Sequence, residues 1–208
     1  MIAVIDYKAG NLTSVARALS HLGFQYRITH EVKEILGADR VIFPGVGSAG
    51  QAMIDLKRRG LDQALHEIHE SEKPFLGICL GSQIILEWSE EHSTTCLGLL
   101  TGTVKRFPVP LISDDGEALK VPHMGWNQVK LKKTHPIFKG VAPESEFYFV
   151  HGYFPLPQET AAIIGTTDYG ITFASVLGER NLFAVQFHPE KSGPVGLTIL
   201  NNFCVWDV

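Results

Sequence analysis

Cysteine is scarce in this chain: there are three in 208 residues, Cys79, Cys96 and Cys204. So odd and sparse a set offers no disulfide framework and no zinc knuckle, and it fits a reducing cytoplasm. Charged residues are few, at 19 %, the net charge is −4, and no long block of one sign occurs. Nothing in that distribution suggests a nucleic-acid or membrane surface. No apolar run approaches the ~20 residues of a membrane span. The opening Met1-Ile2-Ala3-Val4-Ile5-Asp6 turns acidic too early for a signal peptide and reads as a first strand. A G-x-x-x-x-G-K-S/T phosphate loop is absent, which removes support for ATP chemistry. Repeats, low-complexity tracts and linkers are absent too. Hydrophobic residues make up 45 %, enough for a globular core. The expectation is one domain over residues 1–208, with no cofactor and no metal.

What the chain does contain is alternation. Ile2 to Ile5 is an apolar run ending at Asp6, and a loop from Asp6 to Asn11 follows. Thr13 to Leu22 has Val15, Leu19 and Leu22 at helical spacing, with Gly23 as a stop. Gln25 to Ile28 and Arg40 to Phe43 read as strands, Ser48 to Arg58 and Leu61 to Ser71 as helices, and Phe75 to Ile78 as a further strand. Such order predicts an α/β fold: a mostly parallel open sheet flanked by helices, flavodoxin-like in plan. In these sheets ligands lie beyond the carboxyl ends of the strands. The loops Asp6 to Asn11, Pro44 to Gly47 and Cys79 to Gly81 all fall there. The second half changes character. Gly102 to Phe107, Trp126 to Leu131, Glu146 to Val150, Ile163 to Thr167, Thr172 to Leu177 and Leu182 to Phe187 are short strand-like runs, partly antiparallel in expectation, before a closing helix from Gly193 to Trp206.

Chemistry concentrates at Gly77-Ile78-Cys79-Leu80-Gly81-Ser82-Gln83. An apolar strand stops at a cysteine flanked by glycines, and a helical pattern with Ile84, Ile85 and Trp88 on one face begins. A residue on such a sharp strand-to-helix turn is held above the sheet beside the free N–H groups of the first helical turn, which can stabilise a thiolate or an oxyanion. The plainer alternative is a buried packing cysteine. Phe187-His188-Pro189-Glu190 ends another apolar run. A catalytic thiol needs a base and a carboxylate to orient it, and residues two apart in an extended segment face the same way. Alone, His188 reads more simply as a surface histidine before a proline. The glycines of Pro44-Gly45-Val46-Gly47 allow a second oxyanion donor to approach closely.

These motifs together resemble the class I, triad-type glutamine amidotransferases. Pro122-His123-Met124-Gly125-Trp126-Asn127, Asp6-Tyr7-Lys8-Ala9-Gly10-Asn11, Pro44 to Gly50 and Tyr148-Phe149-Val150-His151 are similar to the glutaminase subunits of imidazole glycerol phosphate synthases, which act in histidine biosynthesis. The resemblance spans essentially the whole chain. It implies that Cys79 attacks L-glutamine, that His188 is its base and that Glu190 orients His188. It implies an oxyanion hole from the N–H groups of Val46 and Leu80, and glutamine contacts from Gly47, Gln83, Glu91 and Tyr153. Glu91 reads equally as a solvated helix-end carboxylate. The implied partner is a (β/α)8-barrel synthase subunit in a heterodimer, fed with ammonia through an internal channel. It would use that ammonia to make imidazole glycerol phosphate and an aminoimidazole carboxamide ribotide. Tyr7, Asn11, His123, Met124, Trp126, Tyr148 and Lys191 match positions at or near that interface. For His123 to Trp126 the plain alternative is a turn with a core tryptophan.

Two positions depart from the family pattern: Gly152 stands where a small hydroxyl residue is more frequent, and Thr101 where proline is. His66 and His69 share a helix face without a third metal ligand and read as solvated. Lys130 to Lys133 reads as a solvated strand edge, and Cys96 and Cys204 as packing residues. The competing functional readings are a paralogue supplying ammonia to another acceptor, a regulatory subunit without catalysis, and a free-standing cysteine hydrolase.

Overall fold

The computed structural model describes residues 1–8, 12–113 and 115–208. Strands Ile2–Ile5 (β1), Tyr26–Thr29 (β2), Arg40–Gly45 (β3) and Phe75–Cys79 (β4) alternate with helices Leu12–His21 (α1), Val32–Leu36 (α2), Ala49–Arg58 (α3) and Leu61–Glu70 (α4). Leu80–Ile84 (α5) leaves β4 directly. Then come Trp88–Ser89 (β5), Thr94–Thr95 (β6), Gly102–Arg106 (β7), Leu111–Ile112 (β8), Ala118–Leu119 (β9), His123–Gln128 (β10), Lys130–Leu131 (β11), Glu146–His151 (β12) and Tyr153–Pro157 (β13). Ile163–Asp168 (β14), Thr172–Glu179 (β15), Leu182–Val185 (β16) and helix Gly193–Val205 (α6) complete the order.

Eight strands form the main sheet in the order β11-β14-β15-β16-β4-β3-β1-β2. The five from β16 to β2 are parallel. β11, β14 and β15 are added antiparallel, so β11 and β2 are its two edges. All four residues of β1 are buried, as are all five of β4, because both faces of the sheet are covered. The side-chain period of two divides them. Ala3, Ile5, Phe75, Leu182 and Ala184 face one core with Leu56 of α3 and Leu65 of α4. Ile2, Val4, Leu76, Ile78, Phe183 and Val185 face the other, under Leu19 of α1 and Phe203 of α6. A fully buried Phe or Leu side chain of this kind stabilises the fold by roughly 1.5–3 kcal/mol.

Two expected elements differ. The helix after Cys79 stops at Ile84 rather than running on to Trp88, because the carbonyls of Ile84, Ile85 and Leu86 accept from the N–H groups of Leu97, Gly98, Leu99 and Leu100. A returning segment therefore satisfies the helix end, and Trp88 enters β5 between β6 and β7. The run Trp126 to Leu131 is two strands. His123–Gln128 pairs with β12 in a separate ribbon, and Lys130–Leu131 crosses to the edge of the main sheet. Buried Val129 lies between them.

Candidate active site

β3 and β4 pair so that Gly45 lies opposite Cys79 at their carboxyl ends. Cys79 sits at φ +53°, ψ −107°, a region costly for any residue with a side chain and one that persists only where surroundings hold it. Two glycines permit the turn. A Cβ on Gly81 would collide with the carbonyl of Phe43, and one on Gly45 would lie 2.9 Å from the Leu80 Cβ. The Ser82 hydroxyl donates to the Cys79 carbonyl at 2.7 Å, fixing the elbow from inside. Cys79 is buried at 6 % exposure.

His188 follows β16, the parallel neighbour of β4 on the side away from β3. Its Nδ1 is 2.8 Å from Glu190 Oε1, with both side chains almost wholly buried. The loop is tied to β12: His188 N–H donates to the Tyr148 carbonyl, and Ser192 Oγ accepts from Tyr148 N–H while donating to the His188 carbonyl. Burial works against a charged ring here. The charge of Cys79 and the Glu190 carboxylate outweigh it and push the His188 pKa up to about 10. The site thus favours a cationic imidazole at His188.

A cleft of about 380 Å³ opens over the elbow, lined by Val46, Gly47, Cys79, Leu80, Gln83, Glu91, Gly152, Tyr153, His188 and Lys191, among others. The expected nucleophile, base, oxyanion donors and glutamine contacts are all on its wall. Among the described residues no cluster of three His, Cys, Asp or Glu side chains could hold a metal ion.

Residues 3–206 match the family described as glutamine amidotransferase class-I. The chain belongs to the class-I glutamine amidotransferases. It is similar to proteins named imidazole glycerol phosphate synthase subunit HisH. The one from Nitratidesulfovibrio vulgaris (strain DSM 19637 / Miyazaki F) is 50 % identical over 203 residues, covering 98 % of this chain and 95 % of the relative. That of Methylococcus capsulatus (strain Bath) is 49 % identical over 210 residues, covering 99 % and 96 %. Among solved structures, a glutamine amidotransferase superposes with a TM-score of 0.72 at 15 % identity, covering 99 % of this chain and 100 % of that one. The glutaminase domain of Trypanosoma brucei CTPS gives 0.65 at 18 %, covering 100 % and 94 %. At such identities the structural likeness speaks for the fold alone.

Within this class-I amidotransferase the remaining expected residues fall into three groups. Met124 and Trp126 are exposed, at 61 % and 53 %. Trp126 meets Tyr148 edge-on across the β10–β12 ribbon, and Lys191 Nζ lies 5.9 Å from the Tyr148 ring centre. Tyr7 and His123, expected at or near the same interface, are buried at 1 % and 2 % and lie behind that surface. Tyr7 packs on Phe43 with its hydroxyl beside Gly45, and burial, then the charge of Cys79, raises its pKa. His123 takes the inward phase of β10 and stacks between Tyr169 and Phe149. Asn11 lies outside the described residues. Glu91 is neither a solvated helix end nor wholly open to a ligand. It is in a 3-10 turn, and its Oε2 accepts from the Ala49 N–H at 2.6 Å, holding the start of α3 beside Gly47.

Three residues were not picked out from the sequence as site residues: His151, Gln186 and Ser192. Gln186 is fully buried beside Cys79, and its Nε2 is 3.7 Å from Sγ. The available signal was a glutamine inside the apolar run Phe183 to Phe187, since a buried amide must find partners.

Proposed function

We propose that this chain is the glutaminase subunit of an imidazole glycerol phosphate synthase and works in the cytoplasm as one amidotransferase domain. The observation that carries the reading is the Cys79 elbow and the buried His188–Glu190 pair in one cleft, with the exposed Met124–Trp126 strand at its side. The Cys79 thiolate attacks the carboxamide carbon of L-glutamine. The oxyanion is held by the N–H groups of Leu80 and Val46. His188 gives a proton to the leaving nitrogen as the C–N bond breaks, which releases ammonia and leaves a glutamyl thioester. His188 then takes a proton from water, hydroxide adds to the thioester, and glutamate leaves as the thiolate re-forms. Glu190 holds the ring and its charge throughout. Gly47, Gln83, Glu91 and Tyr153 line the space for the amino-acid part of the substrate.

Ammonia released into water is mostly protonated and lost as a nucleophile. A (β/α)8-barrel synthase subunit, docked on Met124, Trp126, Tyr148 and Lys191 as a heterodimer, receives it directly and closes the imidazole ring. The test is glutamate release from glutamine by the chain alone and with the barrel subunit plus its nucleotide ligand. A large stimulation, abolished on the order of 10³-fold or more by Cys79→Ala, is expected. Cys79-dependent turnover without stimulation would point to another acceptor or a free-standing hydrolase. Inactivity throughout would leave a regulatory subunit.

A further inference from the structure

From the inward side of β10 to the nucleophile, polar groups join in a continuous hydrogen-bonded chain. Asn127 Nδ2 lies 3.3 Å from His123 Nε2, and His123 Nδ1 lies 3.1 Å from His151 Nε2. His151 Nδ1 lies 2.8 Å from the Tyr153 carbonyl. The same carbonyl accepts from Gln83 Nε2 at 2.8 Å, which also donates to Gln186 Oε1 at 2.9 Å. Gln186 Nε2 then donates to Cys79 Sγ at 3.7 Å. The protons have one consistent placement. A carbonyl only accepts, so His151 carries hydrogen on Nδ1 and accepts at Nε2. His123 therefore donates from Nδ1 and accepts at Nε2 from Asn127. Burial holds both rings neutral, with pKa values down to about 4 for His123 and about 3 for His151. His123, His151, Gln83 and Gln186 are each 5 % exposed or less. The outward neighbours of the first links are Met124 and Trp126.

We propose that Gln186 is the positioning residue for the Cys79 sulfur, and that Gln83, Tyr153, His151, His123 and Asn127 tie its amide to the strand bearing Met124 and Trp126. A terminal amide can turn freely, and its N–H aims at sulfur only while its oxygen is occupied. Gln83 occupies that oxygen, and Gln83 is itself held by the carbonyl that His151 fixes. Displacement of β10 by a docked partner is thereby transmitted to the group that stabilises the thiolate. The inference rests on Cys79 being the nucleophile of the proposed glutaminase.

The experiment is site-resolved alkylation of Cys79 by iodoacetamide in the full chain between pH 6 and 10, followed by mass spectrometry. The variants are Gln186→Met, Asn127→Ala and the double variant, each checked for folding by thermal melting. A hydrogen bond to a charged group is worth about tenfold or more in an equilibrium. Gln186→Met is therefore expected to slow alkylation roughly tenfold at pH 7, with the deficit closing towards pH 10, where a thiol ionises unaided. The titratable groups around the sulfur, His188 with Glu190 behind it and Tyr7, are the same in every variant. Asn127→Ala is expected to slow it about threefold, and the double variant no more than Gln186→Met alone, because the link is already cut. If Gln186→Met does not fold, Gln186→Leu removes the same donor without adding a titratable group, and the same pH-dependent deficit is expected. A folded Gln186 variant with the native alkylation profile, or a double variant equal to the product of the singles, overturns the proposal. Glutamine turnover separates the two readings. Normal stimulated turnover with an unaltered Cys79 profile removes the positioning role, whereas a glutamine-inert chain whose Cys79 still depends on Gln186 removes the glutaminase assignment.

Discussion

At position 152 there is room for a side chain: a Cβ on Gly152 would meet only Val121 Cγ1, 3.9 Å away. Gly152→Ser should therefore fold as well as the native protein, within about 0.5 kcal/mol. A hydroxyl added to the cleft wall should lower the KM for glutamine severalfold; an unchanged KM would mean that backbone alone serves this position. Gly81 is the opposite case, since the incoming Cβ would strike the Phe43 carbonyl. Gly81→Ala should cost about 1–3 kcal/mol in denaturant unfolding as β3 and the elbow are forced apart. The elbow was legible because small residues on both sides of a cysteine have few other uses. His188 and Glu190 were legible only beside that elbow, since their spacing alone fits a surface turn. Gln186 and the Glu91–Ala49 bond were not, because the residue type says that a partner is needed and long-range packing decides which one.

The β10–β12 ribbon shows the same limit for an element. Alternation along His123 to Gln128 puts His123 and Asn127 inward and Met124 and Trp126 outward, so a motif that reads as one surface divides into two roles. Trp126→Ala should leave the melting temperature of the isolated chain nearly unchanged, because the ring is half in solvent. Binding of the partner subunit proposed above should weaken by at least about 2 kcal/mol, roughly 30-fold, as for a central aromatic anchor. Calorimetric titration would read both outcomes, and unaltered binding would move the interface elsewhere. The parallel strands and long helices fall within a residue or two of their sequence pattern. The helix after Cys79 does not, since its end is set by hydrogen bonds from Leu97 to Leu100, contacts that periodicity does not carry.

For the whole molecule, four strongly shifted histidines, with His69 also lowered by burial, shape stability against pH. Burial lowers the pKa of His123 to about 4 and of His151 to about 3. His135 falls to about 4, by burial and then Lys133. The unfolded chain takes protons on these rings below about pH 6.5 that the native state refuses, so stability falls as pH drops from there towards 3–4. His188 acts in reverse. Its raised pKa gives stability that is complete below about pH 6.5 and is lost as pH climbs through about 10. Urea midpoints at pH 4.5, 6.5 and 9 should form a dome with its top near neutrality. His135→Phe, which keeps a ring stacked on Phe183, should flatten the acid side alone. A dome with an unaltered acid limb in that variant would assign the loss to other groups. The sheet plan itself was legible from strand–helix alternation, which local sequence repeats many times over.

The two edges of the eight-stranded sheet carry a consequence for life in a crowded cell. Unpaired strand backbone invites a second chain to add itself. At one edge β11 begins with Lys130 and is followed by Lys132 and Lys133, and Lys130 reaches Asp168 on the neighbouring strand. At the other, Arg27 of β2 is paired with Glu34. An approaching strand would have to strip water from these charges before forming its first ladder bond. The protein is in this way protected against fibril-like growth along its sheet, while the exposed Met124 and Trp126 on the β10–β12 ribbon stay apolar.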